Sequence, residues 1–325
     1  MSIKVHVYYQ TTLRPWGGVN SFLRAFIAAG EAAGLEFTAR LDQKCDIVLL
    51  SGPYRDRMHF VDLPALSRLQ DYGSPYLLAR WIVKRPRKIV YRCDGFRDEY
   101  AGLSGDPADG VQKKLLAMAD MVIFQNEFCL NSARRPHIGF SADQYRIIYN
   151  GVDQDIFRYQ NSFWNRRRPL RVCAANWSSN PRKGYAYIAD FSELPGVTVD
   201  FCGRWMDSIP SKNVNISAPL PNHQLAPFYQ AHDALLHPAQ FDPSPNVCLE
   251  AVSCGLPIIY HATSGIREVA GDCGIPAEDD VRLTYEKFSL AYDALKEVVH
   301  CRYPFFSMHR CAKEYAVAFK ELCRE

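Results

Sequence analysis

Asp242 and Glu250 stand eight positions apart in Phe241-Asp242-Pro243-Ser244-Pro245-Asn246-Val247-Cys248-Leu249-Glu250-Ala251-Val252-Ser253-Cys254-Gly255-Leu256-Pro257. In this segment residue type and spacing say most about chemistry. Ser244 suits the N-cap of a helix and Pro245 its first position. Gly255 suits the turn beyond its end, and Pro257 prevents continuation. Asn246 and Glu250 are four apart and share one face, while Leu249 and Val252 occupy the apolar side. A glutamate in a short, otherwise buried helix is costly unless it meets polar partners. The hydroxyls of a bound ribose are natural partners, and a helix N-terminus suits a diphosphate.

Three more loops carry groups that could act with this helix. Asn176-Trp177-Ser178-Ser179-Asn180-Pro181-Arg182-Lys183-Gly184 follows an apolar run and delivers two cations at the predicted start of a helix. That arrangement fits a phosphate site, set against a merely solvated lysine. Arg92-Cys93-Asp94-Gly95 places a carboxylate beside a glycine at a predicted strand end. It fits a sugar hydroxyl, or equally an Asx-turn or helix cap. Arg14-Pro15-Trp16-Gly17-Gly18-Val19-Asn20 opens a helix, and its two glycines let backbone N–H groups approach an anion. A plain tight turn fits as well.

The elements that must hold these loops alternate along the chain. The strand candidates are Ile3–Tyr8, Asp46–Leu50, Lys88–Arg92, Met121–Phe124 and Arg146–Tyr149, then Leu170–Ala174, Val197–Cys202, Val214–Ser217, Ala234–His237 and Pro257–His261. Helical patterns lie between them, such as Val19–Ala33, Val111–Ala119 and Phe128–Arg135. The strands are near-continuous apolar runs, as parallel strands covered on both faces require. Two such blocks predict two doubly wound Rossmann-like domains, 1–160 and 161–303. The polar stretch Arg158–Pro169 separates them. Residues 304–325 read as a helix, with Phe305, Met308, Cys311, Tyr315, Phe319 and Leu322 on its apolar side. It is expected to brace back toward the first domain.

Composition excludes several classes. The chain is 48% hydrophobic and 22% charged, which argues against disorder. Net charge is +3, too small for a nucleic-acid protein. The excess sits in residues 1–160, at +4, and much of it in the run Arg80–Arg92. That run reads as a solvated face, or as a surface for anionic lipid or a phosphorylated acceptor. The 11 cysteines include no C-x-x-C pair and read as buried thiols of a reducing compartment. No apolar run reaches ~18 residues, so the expectation is a cytoplasmic protein, at most peripheral to a membrane.

The chain resembles the family 4 retaining glycosyltransferases, which have the GT-B fold of two facing Rossmann-like domains with a cleft between them. The resemblance rests on Gly17-Gly18, Tyr149-Asn150-Gly151-Val152-Asp153 with Phe157, Lys183-Gly184, the Asp242-to-Glu250 segment and Ser264-Gly265-Ile266-Arg267-Glu268. It implies that Asp242 lies near the transferred sugar, Glu250 on the nucleotide ribose and Lys183 on the leaving diphosphate. The family's first acidic residue is usually glutamate, so Asp242 is one methylene shorter. Trp177 stands where the family usually has an arginine, and Arg182 is the candidate to supply the missing charge. The resemblance also implies retention of anomeric configuration by front-face attack, a cleft that closes on the donor, and no metal or other cofactor. The expected partners are a nucleotide-sugar donor and a hydroxyl acceptor: a glycan, a lipid-linked sugar or a small molecule.

The candidate catalytic residues are thus Asp94, Lys183, Asp242 and Glu250. The candidate substrate-binding residues are Gly17, Gly18, Asn126, Asn150, Arg182, Asn246, Val247 and Gly265. A base-reading loop is expected around Ala218–Leu225. Rival readings are a nucleotide-cofactor oxidoreductase, which the missing G-x-G-x-x-G argues against, a transferase fold kept as a sugar-nucleotide-binding or scaffold subunit, and an epimerase or phosphorylase of the same architecture.

Overall fold

Strands that are apolar on both faces need cover on both sides, and in the computed structural model they receive it in two parallel sheets. The structure describes residues 2–12, 17–38, 45–56, 59–64, 88–134, 140–178 and 180–324. Arg14, Pro15, Trp16, Ser179 and the stretch 80–87 of the basic run lie outside the described residues.

The first sheet comprises β1 (Ile3–Val7), β2 (Leu35–Thr38), β3 (Ile47–Ser51), β4 (Lys88–Cys93), β5 (Met121–Phe124) and β6 (Tyr145–Ile147), in the order β2-β1-β3-β4-β5-β6. The second comprises β7 (Leu170–Asn176), β8 (Val197–Gly203), β9 (Val214–Ser217), β10 (Ala234–His237), β11 (Ile258–Tyr260) and β12 (Gly274–Pro276), in the order β12-β11-β10-β7-β8-β9. Every pairing is parallel. Strand order reverses between β1 and β3 in one sheet and between β7 and β10 in the other. Ligands of open parallel sheets bind outside the strand ends at such switch points.

The helices that matter for function are α1 (Gly17–Gly30), α2 (Arg97–Tyr100), α3 (Pro107–Met118), α4 (Glu127–Ala133), α5 (Tyr185–Phe191), α6 (Asn222–Gln230), α7 (Asn246–Ser253), α8 (Ile266–Ala270), α9 (Val281–Arg302) and α10 (Met308–Leu322). The chain crosses between the sheets twice, and the two crossings are pinned together. Val152 N donates to Phe306 O at 2.8 Å, and Met308 N donates to Val152 O at 2.9 Å. Only glycine fits beside them, because a Cβ on Gly151 would lie 2.6 Å from Ser307 O. Helix α10 then packs on α1. Tyr315 meets the Phe26 ring at 4.8 Å, and Met308, Cys311, Phe319 and Leu322 join the core of the first sheet.

The edge strands β2 and β12 escaped the sequence pattern, being short and half-exposed. The run expected as a strand over Arg146–Tyr149 pairs only as far as Ile147. Beyond it, the carbonyls of Tyr149 and Asn150 both accept from Arg310 Nη2 in α10, at 2.7 and 3.1 Å. The cysteines are free thiols, with Cys173, Cys202 and Cys248 buried.

Three local expectations need correction. Helix α7 begins at Asn246, one residue later than Ser244 as N-cap would place it, with Pro245 at the cap position. The Ser244 hydroxyl instead accepts from Asn150 Nδ2 of the other domain at 3.2 Å. Arg182 and Lys183 do not open the α-helix. They close a 3-10 turn, Pro181–Lys183, capped by the Asn180 side chain, and left-handed Gly184 (φ 76°) separates it from α5. Arg92 is 1% exposed, so it belongs to the core and not to a solvated or lipid-facing surface.

Candidate active site

The ends of β7 and β10 deliver Asn176 and His237 to a cavity of about 240 Å³. Its wall combines Lys183, Asp242 and Glu250 with Asn246 and Val247 from the first turn of α7. Gly17 and Gly18 close it from the opposite domain. Ala175, Trp177, Pro219, Leu220 and Leu225 add apolar wall, which includes part of the expected base-reading loop.

The polar end is held by a small charge cluster. Lys183 Nζ donates to Asp242 Oδ2 at 2.5 Å, and His237 Nε2 lies 3.1 Å from the same oxygen. Burial alone would push the Asp242 carboxyl up. The Lys183 ammonium and the His237 contact outweigh it and hold the carboxyl well below the usual range. Among the described residues lining the cavity, Lys183 supplies the one ammonium or guanidinium group. The N–H groups of Asn246 and Val247 at the start of α7 lack intrahelical acceptors, and both residues line the same space.

Glu250 sits one turn along α7 from Asn246. It is 6% exposed, and its Oε2 accepts from the Tyr229 hydroxyl at 3.2 Å. Burial pushes its carboxyl up to about 7, with the tyrosine pulling the other way. Such a group is poised to ionise when a second donor, for example a vicinal diol, arrives.

Asn246 also ties the domains together. Its Nδ2 donates to Gly18 O at 3.1 Å, and its Oδ1 accepts from Asn150 Nδ2 at 3.0 Å. Behind Asn150 lies Arg92, whose guanidinium donates to Asn150 Oδ1 at 2.9 Å and to Ser51 Oγ at 3.1 Å and stacks on Phe22. A buried arginine in the first core thereby orients an asparagine that touches the start of α7.

A second cavity, of about 260 Å³, opens at the β1/β3 switch point and shares Gly17 and Gly18 with the first. Asp94 lies in it, at the end of β4, with Oδ1 lacking a hydrogen-bond partner among the described residues. Burial raises its carboxyl, and the nearby Arg92 charge partly offsets that.

Four of the sequence candidates face neither cavity. Arg182 does not supply the missing charge, since its guanidinium reaches across the cleft to Glu99 O and covers the Phe241 ring. Asn126 donates to Pro243 O at 2.6 Å. Gly265 packs against the same carbonyl so closely that a Cβ there would lie 2.0 Å from it. Asn150 sits behind Asn246. These contacts lock one domain onto the other.

Sequence reading passed over His237, Tyr229 and Glu268 as site or interface groups. His237 ends a strand five residues before Asp242, and the strand-end rule points to it. Glu268 accepts from the Glu127 N–H at 2.8 Å and from the Tyr149 hydroxyl at 2.9 Å, both in the other domain. Nothing local in the sequence marks that pairing.

Residues 209–275 match the family described as Glycosyl transferases group 1. A D-inositol 3-phosphate glycosyltransferase of Streptosporangium roseum is 28% identical over 107 residues, 33% of this chain and 22% of that protein. The match thus spans about a fifth of that relative's length. Among solved structures, sucrose-phosphate synthase from Thermosynechococcus elongatus superposes with a TM-score of 0.69 at 14% identity, covering 98% of this chain and 99% of the other. Anabaena HepE, solved in complex with UDP-glucose, gives 0.66 at 14% identity, covering 98% and 100%. The chain has the GT-B fold of two facing Rossmann-like domains, and the stretch carrying both Asp242 and Glu250 matches the glycosyl transferases group 1.

Proposed function

We propose that the protein is a retaining glycosyltransferase that moves a sugar from a nucleotide-sugar donor to a hydroxyl acceptor. Residues 161–303 bind the donor, residues 1–160 the acceptor, and residues 304–325 brace the first domain. The observation that carries this reading is the single cavity into which Lys183, Asp242, Glu250 and the start of α7 all face. Its apolar wall suits a base, Glu250 suits ribose hydroxyls, and Lys183 with the helix N-terminus suits a diphosphate.

In the proposed step the C1–O bond to the donor phosphate breaks, and its electron pair stays on the phosphate oxygen. The acceptor oxygen bonds to C1 on the same face, and its proton passes to that phosphate oxygen. The protein contributes position and charge, with no covalent nucleophile, metal or other cofactor. Lys183, the α7 N–H groups and the Gly17-Gly18 backbone meet the growing negative charge, and Asp94 orients the acceptor hydroxyl. Domain closure excludes water from the reacting groups.

A thermal-shift screen against UDP, ADP, GDP and TDP sugars tests the donor site, since a ligand that binds only the folded form raises its melting temperature. At least one should do so in the wild type and not in Glu250→Ala. A Glu250→Ala protein with unaltered donor binding and hydrolysis would refute the assignment.

A further inference from the structure

Phe241, the residue before Asp242, has a left-handed backbone with φ 54°. That region crowds the Cβ of an L-residue against the following carbonyl, so a bulky aromatic stays there only when its surroundings hold it. The chain is tied on both sides. Gln240 N donates to Arg182 O at 2.8 Å, and Phe241 N donates to Thr263 Oγ1 at 3.1 Å. Asp242 O accepts from Gly265 N at 2.9 Å and from Ser264 Oγ at 3.1 Å. Phe241 lines a separate groove with Glu99 and Arg267, not the donor cavity. Its backbone nevertheless sets the direction in which the Asp242 side chain leaves, and hence the contact of that carboxylate with Lys183.

The cover on the Phe241 ring is aimed from across the cleft. The Arg182 guanidinium lies 5.3 Å from the ring centroid, within cation–π reach. The same guanidinium donates to Glu99 O, at the end of α2 in the first domain. It also rests on Gly102, where a Cβ would lie 3.1 Å from its central carbon. Asn180 caps the turn that carries Arg182 and Lys183, and its Nδ2 donates to Tyr100 O at 3.0 Å. The last two carbonyls of α2 thus receive the turn, as helix ends seek partners for carbonyls that the helix leaves unpaired.

We infer that Arg182 and Phe241 are positioning residues of an interdomain clamp. With the domains together, Arg182 spans from α2 to the Phe241 ring and holds the left-handed backbone that seats Asp242 against Lys183. With the domains apart, Arg182 loses the groups that aim it, Phe241 relaxes and the carboxylate leaves its seat. Closure then completes the charge cluster of the donor cavity through a residue that does not line it. The consequence for transfer rests on the proposed transferase reading, whereas the clamp itself is a property of the free protein.

Acetic anhydride labelling of the full chain, read at each lysine by peptide mass spectrometry, tests the clamp without a substrate. An ammonium bonded to a carboxylate is shielded from the reagent, so Lys183 reports whether Asp242 is in place. Arg182→Ala should speed Lys183 acetylation by at least about threefold, as the loss of one charge-assisted bond implies. Gly102→Ala crowds the guanidinium from the other domain and should act alike. Lys212, held by Asp190 and Glu193, is the internal reference and should not change. A rise at Lys212 would mark a variant that does not fold, and the other variant then decides. Adding Phe241→Asn to Arg182→Ala should return Lys183 to within about twofold of wild type, because asparagine tolerates the left-handed region unaided. Adding Phe241→Leu should not. An unchanged Lys183 rate in Arg182→Ala and Gly102→Ala overturns the inference, as does rescue by leucine and not by asparagine, the order that packing alone would give. Titration of UDP, ADP, GDP and TDP into the wild type reports separately on the donor site. Binding of none would strike the transferase reading, whereas binding with an unchanged Lys183 rate in the variants would strike only the clamp.

Discussion

The Lys183 ammonium rests 2.5 Å from the Asp242 carboxylate, with His237 on the same oxygen. The cation that the proposed function assigns to a diphosphate is therefore neutralised by Asp242 in this structure. In the proposed function, a donor diphosphate would compete with Asp242 for the Lys183 ammonium, freeing the carboxylate to turn toward the sugar.

Replacing the lysine should be severe. Lys183→Ala removes the one cation among the described donor-cavity residues, and turnover should fall by about 10²–10³. The substitution also leaves the buried Asp242 carboxyl with His237 as its remaining charged partner, so the melting temperature should fall as well. Steady-state kinetics with a calorimetric scan checks both. Asp242→Asn should act oppositely on the free nucleotide: UDP binds more tightly because no anion competes for Lys183, while sugar transfer falls. Weaker UDP binding in that variant would contradict the exchange.

Glu250 gives a pH signature. Its carboxyl stands near 7, against 4.5 for the ordinary group. A raised folded value means that the folded state holds the proton longer, so its contribution to stability is complete below about 4.5 and is lost as pH rises through 7. The loss is roughly 3 kcal/mol. Ribose hydroxyls donate to the ionised form, so nucleotide affinity should rise over the same interval. Denaturant melts and titration calorimetry from pH 5 to 8, with Glu250→Gln as the reference, should show both trends in the wild type and neither in the variant.

Lys296 should behave differently. It is 2% exposed and donates to Gly255 O just beyond α7, and burial lowers its ammonium to about 8 from 10.5. The unfolded chain holds the proton up to the higher value, so stability should rise with pH between about 8 and 10.5. Urea melts at pH 7.5 and 9.5 should show this gain in the wild type relative to Lys296→Met. An identical pH dependence in the two proteins would show that the buried amine does not titrate as described.

Glu268 adds to the contacts of Asn126, Asn150 and Arg182 that hold the two domains together. Its carboxylate takes the Glu127 N–H and the Tyr149 hydroxyl, and the tyrosine is pushed up to about 12 by burial and by that bond. The contact is exposed, so solvent screening holds its contribution to about 1 kcal/mol or less. Glu268→Ala should expand the free protein in small-angle scattering and raise the donor KM by less than about tenfold. Each domain should keep its own melting behaviour.

Much of the site was written locally. The α7 segment carries its own stop signals, and its four-residue spacing put Asn246 and Glu250 on one face. Continuous apolar runs implied parallel strands, hence ligands at strand ends, and that located Lys183, Asp242 and Asp94. Other features depended on where distant segments meet. The Lys183–Asp242 pair spans 59 positions, and Arg182 reaches Glu99 83 positions away. Two neighbouring cations in one turn, Arg182 and Lys183, take opposite duties because one points into the cleft and the other across it. The short edge strands were lost because half-exposed residues leave no apolar run. Arg92 read as surface because a basic run does not show that β4 is covered on both faces from Ile89 to Cys93. Periodicity and capping act within a few residues and are legible along the chain, whereas charge pairing and domain closure are decided only when two cores face each other.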